Sequence, residues 1–281
     1  MPLREYRRDY VLGRAVPPQR IQGRIAGAAA AIVGLIVIGV ALALKSRAVT
    51  VPTGAATLCP TDRPLSSVTV ILLDVSDRFS EPQRLQIQNH LARLRDSVPR
   101  FGLIEVYTVD RLGRRVTEPV FHLCNPGTGD DLNRIYQNPE LARKRWHGFA
   151  DTLAADIDRQ VSLPATATSP IFEAIQATAV RTFGRPEYDG LPKRLVIVSD
   201  LLQNVPGGLN MYQGIPSFRA FRRTPYFSQV RADLSGVVVA IYYLARSGVG
   251  TQGRRHLGFW DAYFRFQGAR VESAVGVFGD R

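Results

Sequence analysis

Residues 67–80 read Ser67-Val68-Thr69-Val70-Ile71-Leu72-Leu73-Asp74-Val75-Ser76-Asp77-Arg78-Phe79-Ser80, an aliphatic run that closes in an acidic, hydroxyl-rich turn. Such a run suits a strand buried on both faces of a parallel sheet. The turn then stands at the carboxyl end of the strand, where open α/β sheets take their ligands. Asp74, Ser76 and Asp77 are hard oxygen donors within four residues, a set that a hydrated Mg2+ or Mn2+ uses. A structural account stands beside this one: Ser80 and Gln83 have the spacing of a helix capping box. It explains Ser80 and leaves Asp74, at the strand's last position, without a role. A second aliphatic run, Arg194-Leu195-Val196-Ile197-Val198-Ser199-Asp200, also ends in an acid. Between the two, Ser169 and Pro170 suit the N-cap and first residue of a helix.

A binding module needs no more chemistry than this, whereas a hydrolase needs a general base and a substrate pocket. His90, His122, His147 and His256 are scattered, with no metal-ligand spacing and no Ser/Cys-His signature. They read as ordinary surface or partly buried residues. The sequence holds no Gly-x-Ser-x-Gly, phosphate-loop or dinucleotide motif.

The elements that must position these residues follow from periodicity. Strands are expected near 67–74, 103–109, 116–123, 194–200, 236–244 and 271–278, the third at an edge because of Pro119. Helices are expected over 81–97, 139–161, 170–183, 226–234 and 256–266. Trp146, Phe149, Leu153 and Ile157 should share one face of the second, and Phe259, Trp260, Tyr263 and Phe264 stud the last. Strands alternating with helices argue for an α/β fold with a doubly wound, mostly parallel sheet. Right-handed crossovers bring the carboxyl ends of the first and fourth strands together, placing Asp74 and Asp200 on one rim.

The chain has 281 residues, 45% hydrophobic and 21% charged, so it can pack a core. Half of its net charge of +12 lies in residues 1–47. The remaining excess is spread thinly and no basic run is interleaved with aromatics, which excludes nucleic acid as the expected partner. Residues 1–24 form a basic tail with six Arg, and residues 25–44 carry no charge. At 1.5 Å per residue such a helix spans about 30 Å, the bilayer core. It reads as one transmembrane signal anchor, with removal after Ala41-Leu42-Ala43 as the alternative. The positive-inside rule puts the tail in the cytoplasm and everything after residue 47 in the periplasm or outside the cell. A Pro-containing linker, 45–66, leads to the domain at 67–281. Cys59 and Cys124 are the only cysteines; outside the cytoplasm they suggest a disulfide, and otherwise two buried free thiols.

Residues 66–279 resemble the von Willebrand factor A domain, also called the integrin I domain. Asp74-Val75-Ser76 matches the start of that family's Asp-x-Ser-x-Ser turn. Thr168-Ser169-Pro170-Ile171-Phe172-Glu173-Ala174-Ile175 is similar to its Thr-Pro-Leu-x-x-Ala-Leu stretch, with Ser169 in place of Thr. Val198-Ser199-Asp200-Leu201-Leu202-Gln203-Asn204 is similar to its Thr-Asp-Gly-x-x-Asn segment. The resemblance implies a Rossmann-like fold and a metal-ion-dependent adhesion site for Mg2+ or Mn2+, with Asp74, Ser76, Asp77, Ser169 and Asp200 as ligands. The ion's open position would take an acidic residue of a partner protein. Arg78 departs from the pattern, standing where the second Ser belongs, and a cation at ligand distance repels a divalent ion. Either Arg78 points away and Asp77 or water fills in, or the site is degenerate. Three readings follow: a membrane-anchored interaction module of the cell envelope, a scaffold with a dead metal site, and a metal-dependent hydrolase using Asp74, Asp77 and Asp200.

Overall fold

The computed structural model describes residues 19–47, 51–110, 118–130, 132 and 138–279, with side chains of the first stretch described over 27–43. The chain divides into two units, Met1–Thr50 with Ile135–Gln137, and Val51–Arg134 with Asn138–Arg281. In the first, α1 runs over Gln19–Arg47. Its aliphatic side chains, Ile32, Val33, Leu35 and Ile36 among them, are exposed. Among the described residues no helix is long and apolar enough to cross a membrane. The span expected at 25–44 begins and ends outside the described side chains, and most of the basic tail lies outside the described residues.

The second unit is built on one mixed six-stranded sheet. Its strands are β1 (Val68–Leu73), β2 (Leu103–Thr108), β3 (Phe121–Cys124), β4 (Lys193–Ser199), β5 (Val237–Leu244) and β6 (Arg270–Val277), in the order β3-β2-β1-β4-β5-β6. Every pairing is parallel except β2 with β3. The antiparallel β3 is an edge, as Pro119 implies; the start of the expected strand, 116–117, lies outside the described residues. The helices are α2 (Glu81–Ser97), α3 (Pro139–Val161), α4 (Ile171–Thr178), α5 (Phe218–Phe221), α6 (Pro225–Gln229) and α7 (Arg254–Phe266).

Alternation along the strands makes two cores. Val70, Leu72, Leu195, Ile197, Val239 and Ile241 face α4 and α7. Ile71, Leu73, Val196 and Val198 face α2 and α3. In the first core Phe172 stacks on Trp260 with ring centroids 4.5 Å apart and on Phe221 at 5.0 Å. Each buried aliphatic or aromatic side chain contributes about 1.5–3 kcal/mol over an exposed one. Both faces of β1 and β4 are therefore sealed, and the sheet is free to present its strand ends.

Local chemistry explains where the elements begin. The Ser80 hydroxyl accepts from Gln83 N, and Gln83 Oε1 accepts from Ser80 N, so α2 starts at the expected capping box. The expected cap of α4 fails. Pro170, not Ser169, holds the N-cap position, and it makes no side-chain cap bond. Trp146 is also displaced from the expected core face: it is half-buried, with the Arg95 guanidinium 4.9 Å over its ring. Phe149, Leu153 and Ile157 do face inward. The expected helix at 226–234 is shorter and stops at Gln229.

Cys59 and Cys124 form a disulfide. Cys124 N also donates to Thr57 O at 2.8 Å. Ser66 Oγ donates to Arg100 O at 2.7 Å. The segment that precedes β1 is thus fastened at the amino ends of the parallel strands.

Candidate functional site at the switch point

The strand order reverses direction between β1 and β4. The chain leaves β1 for the α2 face and leaves β4 for the α4 and α7 face, which opens a crevice at the two carboxyl ends. Asp74 N donates to Val198 O at 2.9 Å and continues the ladder one residue past β1. This fixes Asp74 at the head of the crevice, only 1% exposed.

Neutral donors surround its carboxylate. Oδ1 accepts from Ser76 N at 3.1 Å. Oδ2 accepts from Ser169 Oγ at 3.0 Å and from Ser199 Oγ at 2.6 Å. Ser169 reaches this position because its backbone pairs with Asn204 in both directions, at 2.9 and 3.1 Å. Pro170 takes the N-cap position of α4, and the Ser169 hydroxyl makes no cap bond. Gln203 takes over: its Oε1 accepts from Phe172 N at 3.0 Å, while its Nε2 donates to Glu173 Oε2 and to the Tyr226 hydroxyl.

Asp200 is fully buried. Its Oδ1 accepts from Leu202 N at 2.9 Å and its Oδ2 from Arg246 Nε at 2.8 Å. Burial and the charge of Asp74 push its carboxyl up to about 7, against the pull of Arg246. Leu201 has a left-handed backbone, φ 60. Its carbonyl is held from below by the Trp260 indole at 3.0 Å and by His256 Nε2 at 2.9 Å. His256 is fully buried rather than a surface or partly buried residue as expected, and burial lowers its ring to about 4, so it is neutral.

Arg246 comes from the loop after β5. Its Nη1 donates to Arg78 O at 2.8 Å, and its Nε lies 3.7 Å from Asp77 Oδ2. Gln252 holds it in place, accepting from Arg246 N at 2.8 Å and donating to Asp200 O at 3.2 Å. Asp77 also accepts from the Tyr212 hydroxyl at 3.0 Å. Burial and the charges of Asp200 and Asp77 hold that phenol protonated well above its ordinary range. Arg78, the departure flagged in the sequence, is exposed and meets the site through its carbonyl. Beside the carboxylates opens a cleft of about 380 Å³, lined by Ser76, Asp77, Thr166, Thr168, Asn210 and Tyr212. Ser76 Oγ is buried there without a hydrogen-bond partner.

Asp74, Ser76, Ser169 and Asp200 thus converge as expected, with Asp77 on the outer side. As ligands for an ion they do not fit in this arrangement. Ser76 Oγ is available, but both oxygens of Asp200 are bonded and a guanidinium stands against two of the three acids. Among the described residues no group of three or more His, Cys, Asp or Glu could hold a metal ion. The sequence reading missed Ser199, Gln203, Tyr212, Arg246 and Gln252. For Arg246 a signal existed: it follows the end of a parallel strand by two residues, on the same rim as Asp74 and Asp200.

No family model matches the chain, and no curated protein does. Among solved structures, it is similar to a conserved hypothetical protein, BatB, from Bacteroides thetaiotaomicron, at 12% identity and TM-score 0.35, covering 76% of this chain and 91% of that one. It is similar to the SpRpn10 VWA domain at 13% identity and TM-score 0.38, covering 77% and 90%. An aerotolerance-related membrane protein from Bacteroides fragilis NCTC 9343 follows at 11% identity and TM-score 0.33, covering 76% and 92%. These scores are too low for a shared fold to follow from them, so the α/β assignment rests on the strand order and register above.

Proposed function

We propose that this chain is a von Willebrand factor A-like interaction module, tethered through α1 to the cytoplasmic membrane and carried outside the cytoplasm, which binds a partner protein of the cell envelope at its switch-point rim. The observation that carries this reading is the investment of buried polar groups under one open cleft. Asp74, Ser169, Ser199 and Asp200 are all at most 2% exposed. Burying such groups costs stability unless every one is bonded, and Ser76 Oγ is left without a bond. Two further features support the reading. The exposed aliphatic side chains of α1 suit a lipid environment. The disulfide suits an oxidising compartment.

A photo-crosslinking residue at Thr168 or Asn210, in the full chain in its native membrane, tests this. The cleft positions should give a discrete adduct that Asp77→Lys abolishes. The same probe at Leu85, exposed on α2, should give none. Adducts of equal yield from Leu85, or no adduct from the cleft, would refute the reading. Mg2+ or Mn2+ at the rim stands as a second reading, with the unbonded Ser76 Oγ in its favour, and it requires Arg246 to leave its bonds to Asp200 and Arg78. In a scaffold reading the rim would cross-link to nothing, and in a hydrolase reading the purified chain would turn over a phosphoester or peptide.

A further inference from the structure

The motif resemblance supplies the rim with a divalent ion, but the chain supplies a guanidinium. Arg246 is 12% exposed at its side chain and makes one bond to each wall of the crevice. Nε bonds Asp200 at the end of β4, and Nη1 bonds the carbonyl of Arg78 in the turn after β1. Nε and Nη2 share the forked edge of the planar group, so the edge facing Asp200 also carries Nη2, which is buried with no partner. An arginine keeps its charge even when desolvated. Here the charge lies beside two carboxylates, at 2.8 Å from Asp200 and 3.7 Å from Asp77. A divalent ion bound by those oxygens would meet this cation at contact distance and would have to displace both bonds. The loop is built to keep Arg246 there, since Gln252 ties its backbone N to the carbonyls of Asp200 and Leu244.

We propose that Arg246 is the resident cation of this rim, taking the place of a divalent ion, so that the cleft is charged and shaped for its partner without metal. The inference deepens the proposed function and rests on the rim being the working surface. It inverts the importance of the two arginines: Arg78 is the bystander, and Arg246 bridges the two strand ends.

The test uses the full chain in detergent, with Mn2+ as the probe. Binding is read from the loss of the free-ion spin-resonance signal and stability from the melting temperature. Wild type should leave the Mn2+ signal intact and its melting temperature unmoved at about 1 mM ion, because an ion that does not bind the native state cannot stabilise it. Arg246→Gln should melt lower and should regain part of the loss when Mn2+ is added. Arg246→Gln with Asp200→Asn should melt closer to wild type with no ion present. Should Arg246→Gln fail to fold, wild type and Arg246→Lys still decide the matter, since both are expected to ignore Mn2+. Stoichiometric Mn2+ binding by wild type that Asp200→Asn abolishes would overturn the proposal, as would an Arg246→Gln variant that melts like wild type. The cleft adduct should survive EDTA, and its loss on chelation would also overturn it. Absence of any adduct would sink the partner reading alone and leave the Mn2+ result standing.

Discussion

Replacing both Cys59 and Cys124 by Ala is expected to lower stability by about 4 kcal/mol. The bridge spans a sequence separation of 65, and in the chain-entropy model a closed loop of that length restricts the unfolded chain by about that amount. The loop encloses β1, α2, β2 and β3, so its constraint acts on half of the sheet. Cys124 is fully buried and closes β3, an edge strand that pairs with β2 over Leu103–Val106 alone. The bridge sits at the strand ends opposite the rim, so the Arg246 bonds should survive its loss. Urea unfolding followed by tryptophan fluorescence reads the effect, because Trp260 is fully buried in the folded state. For a domain of this size each kcal/mol moves the melting temperature by about 2–4 °C, so a drop of about 8–16 °C is expected. The urea slope should rise as well, since the unlinked chain unfolds to a more exposed state. A loss under about 1 kcal/mol would refute the entropic argument and leave the bridge as local packing. Two alkylatable thiols in unreduced, denatured wild type would refute the bridge itself.

The remaining predictions concern pH, one cap and topology. Asp200 is raised from 3.8 unfolded to about 7 folded, so its contribution to stability is complete below about pH 4 and is lost as pH rises through about 7; Asp200→Asn should flatten that part of the profile of melting temperature against pH, and an unchanged profile would be contrary. Gln203→Leu leaves Phe172 N, Glu173 and Tyr226 without their shared partner and should cost about 1–3 kcal/mol in urea unfolding. A reporter active only outside the cytoplasm, fused after residue 281, should be active; activity of a cytoplasm-only reporter there would reverse the topology and remove the compartment argument for the disulfide.

The sheet was legible because burial on both faces leaves a plain signal. The runs at 67–74, 194–200 and 236–244 are continuous and apolar, and each became a parallel strand within a residue or two. Right-handed crossovers then sufficed to bring Asp74 and Asp200 together, with no knowledge of side-chain contacts. Residues with two uses were harder to read. Ser169 carries a good N-cap signature before Pro170, but its backbone pairs with Asn204 and its hydroxyl bonds Asp74, and the N-cap position falls one residue later at Pro170. Pro170 has no side-chain acceptor to offer, and the Phe172 N–H is met by Gln203, 34 positions from Ser169 along the chain. Trp146 fits the helical period of Phe149, Leu153 and Ile157, yet its position nearer the start of α3 lets Arg95 cover it instead of the core.

Arg246 exposes a limit in how a ligand site is sought. A search for hard oxygen donors finds Asp74, Ser76, Asp77 and Asp200, counts their charge, and infers a missing cation. It then treats a nearby arginine, Arg78, as an obstacle to that cation. But a buried pair of carboxylates demands positive charge from any source, and a guanidinium from a neighbouring strand end supplies it as readily as an ion does. The ends of β1, β4 and β5 all open on one rim, so Asp74, Asp200 and Arg246 are equivalent in topology although 46 residues separate the last two. The strand order alone therefore nominates any charged residue one or two positions past a parallel strand as a member of the site. By that rule Arg246 belongs to the rim from the outset, while Arg78, five residues past the end of β1, does not.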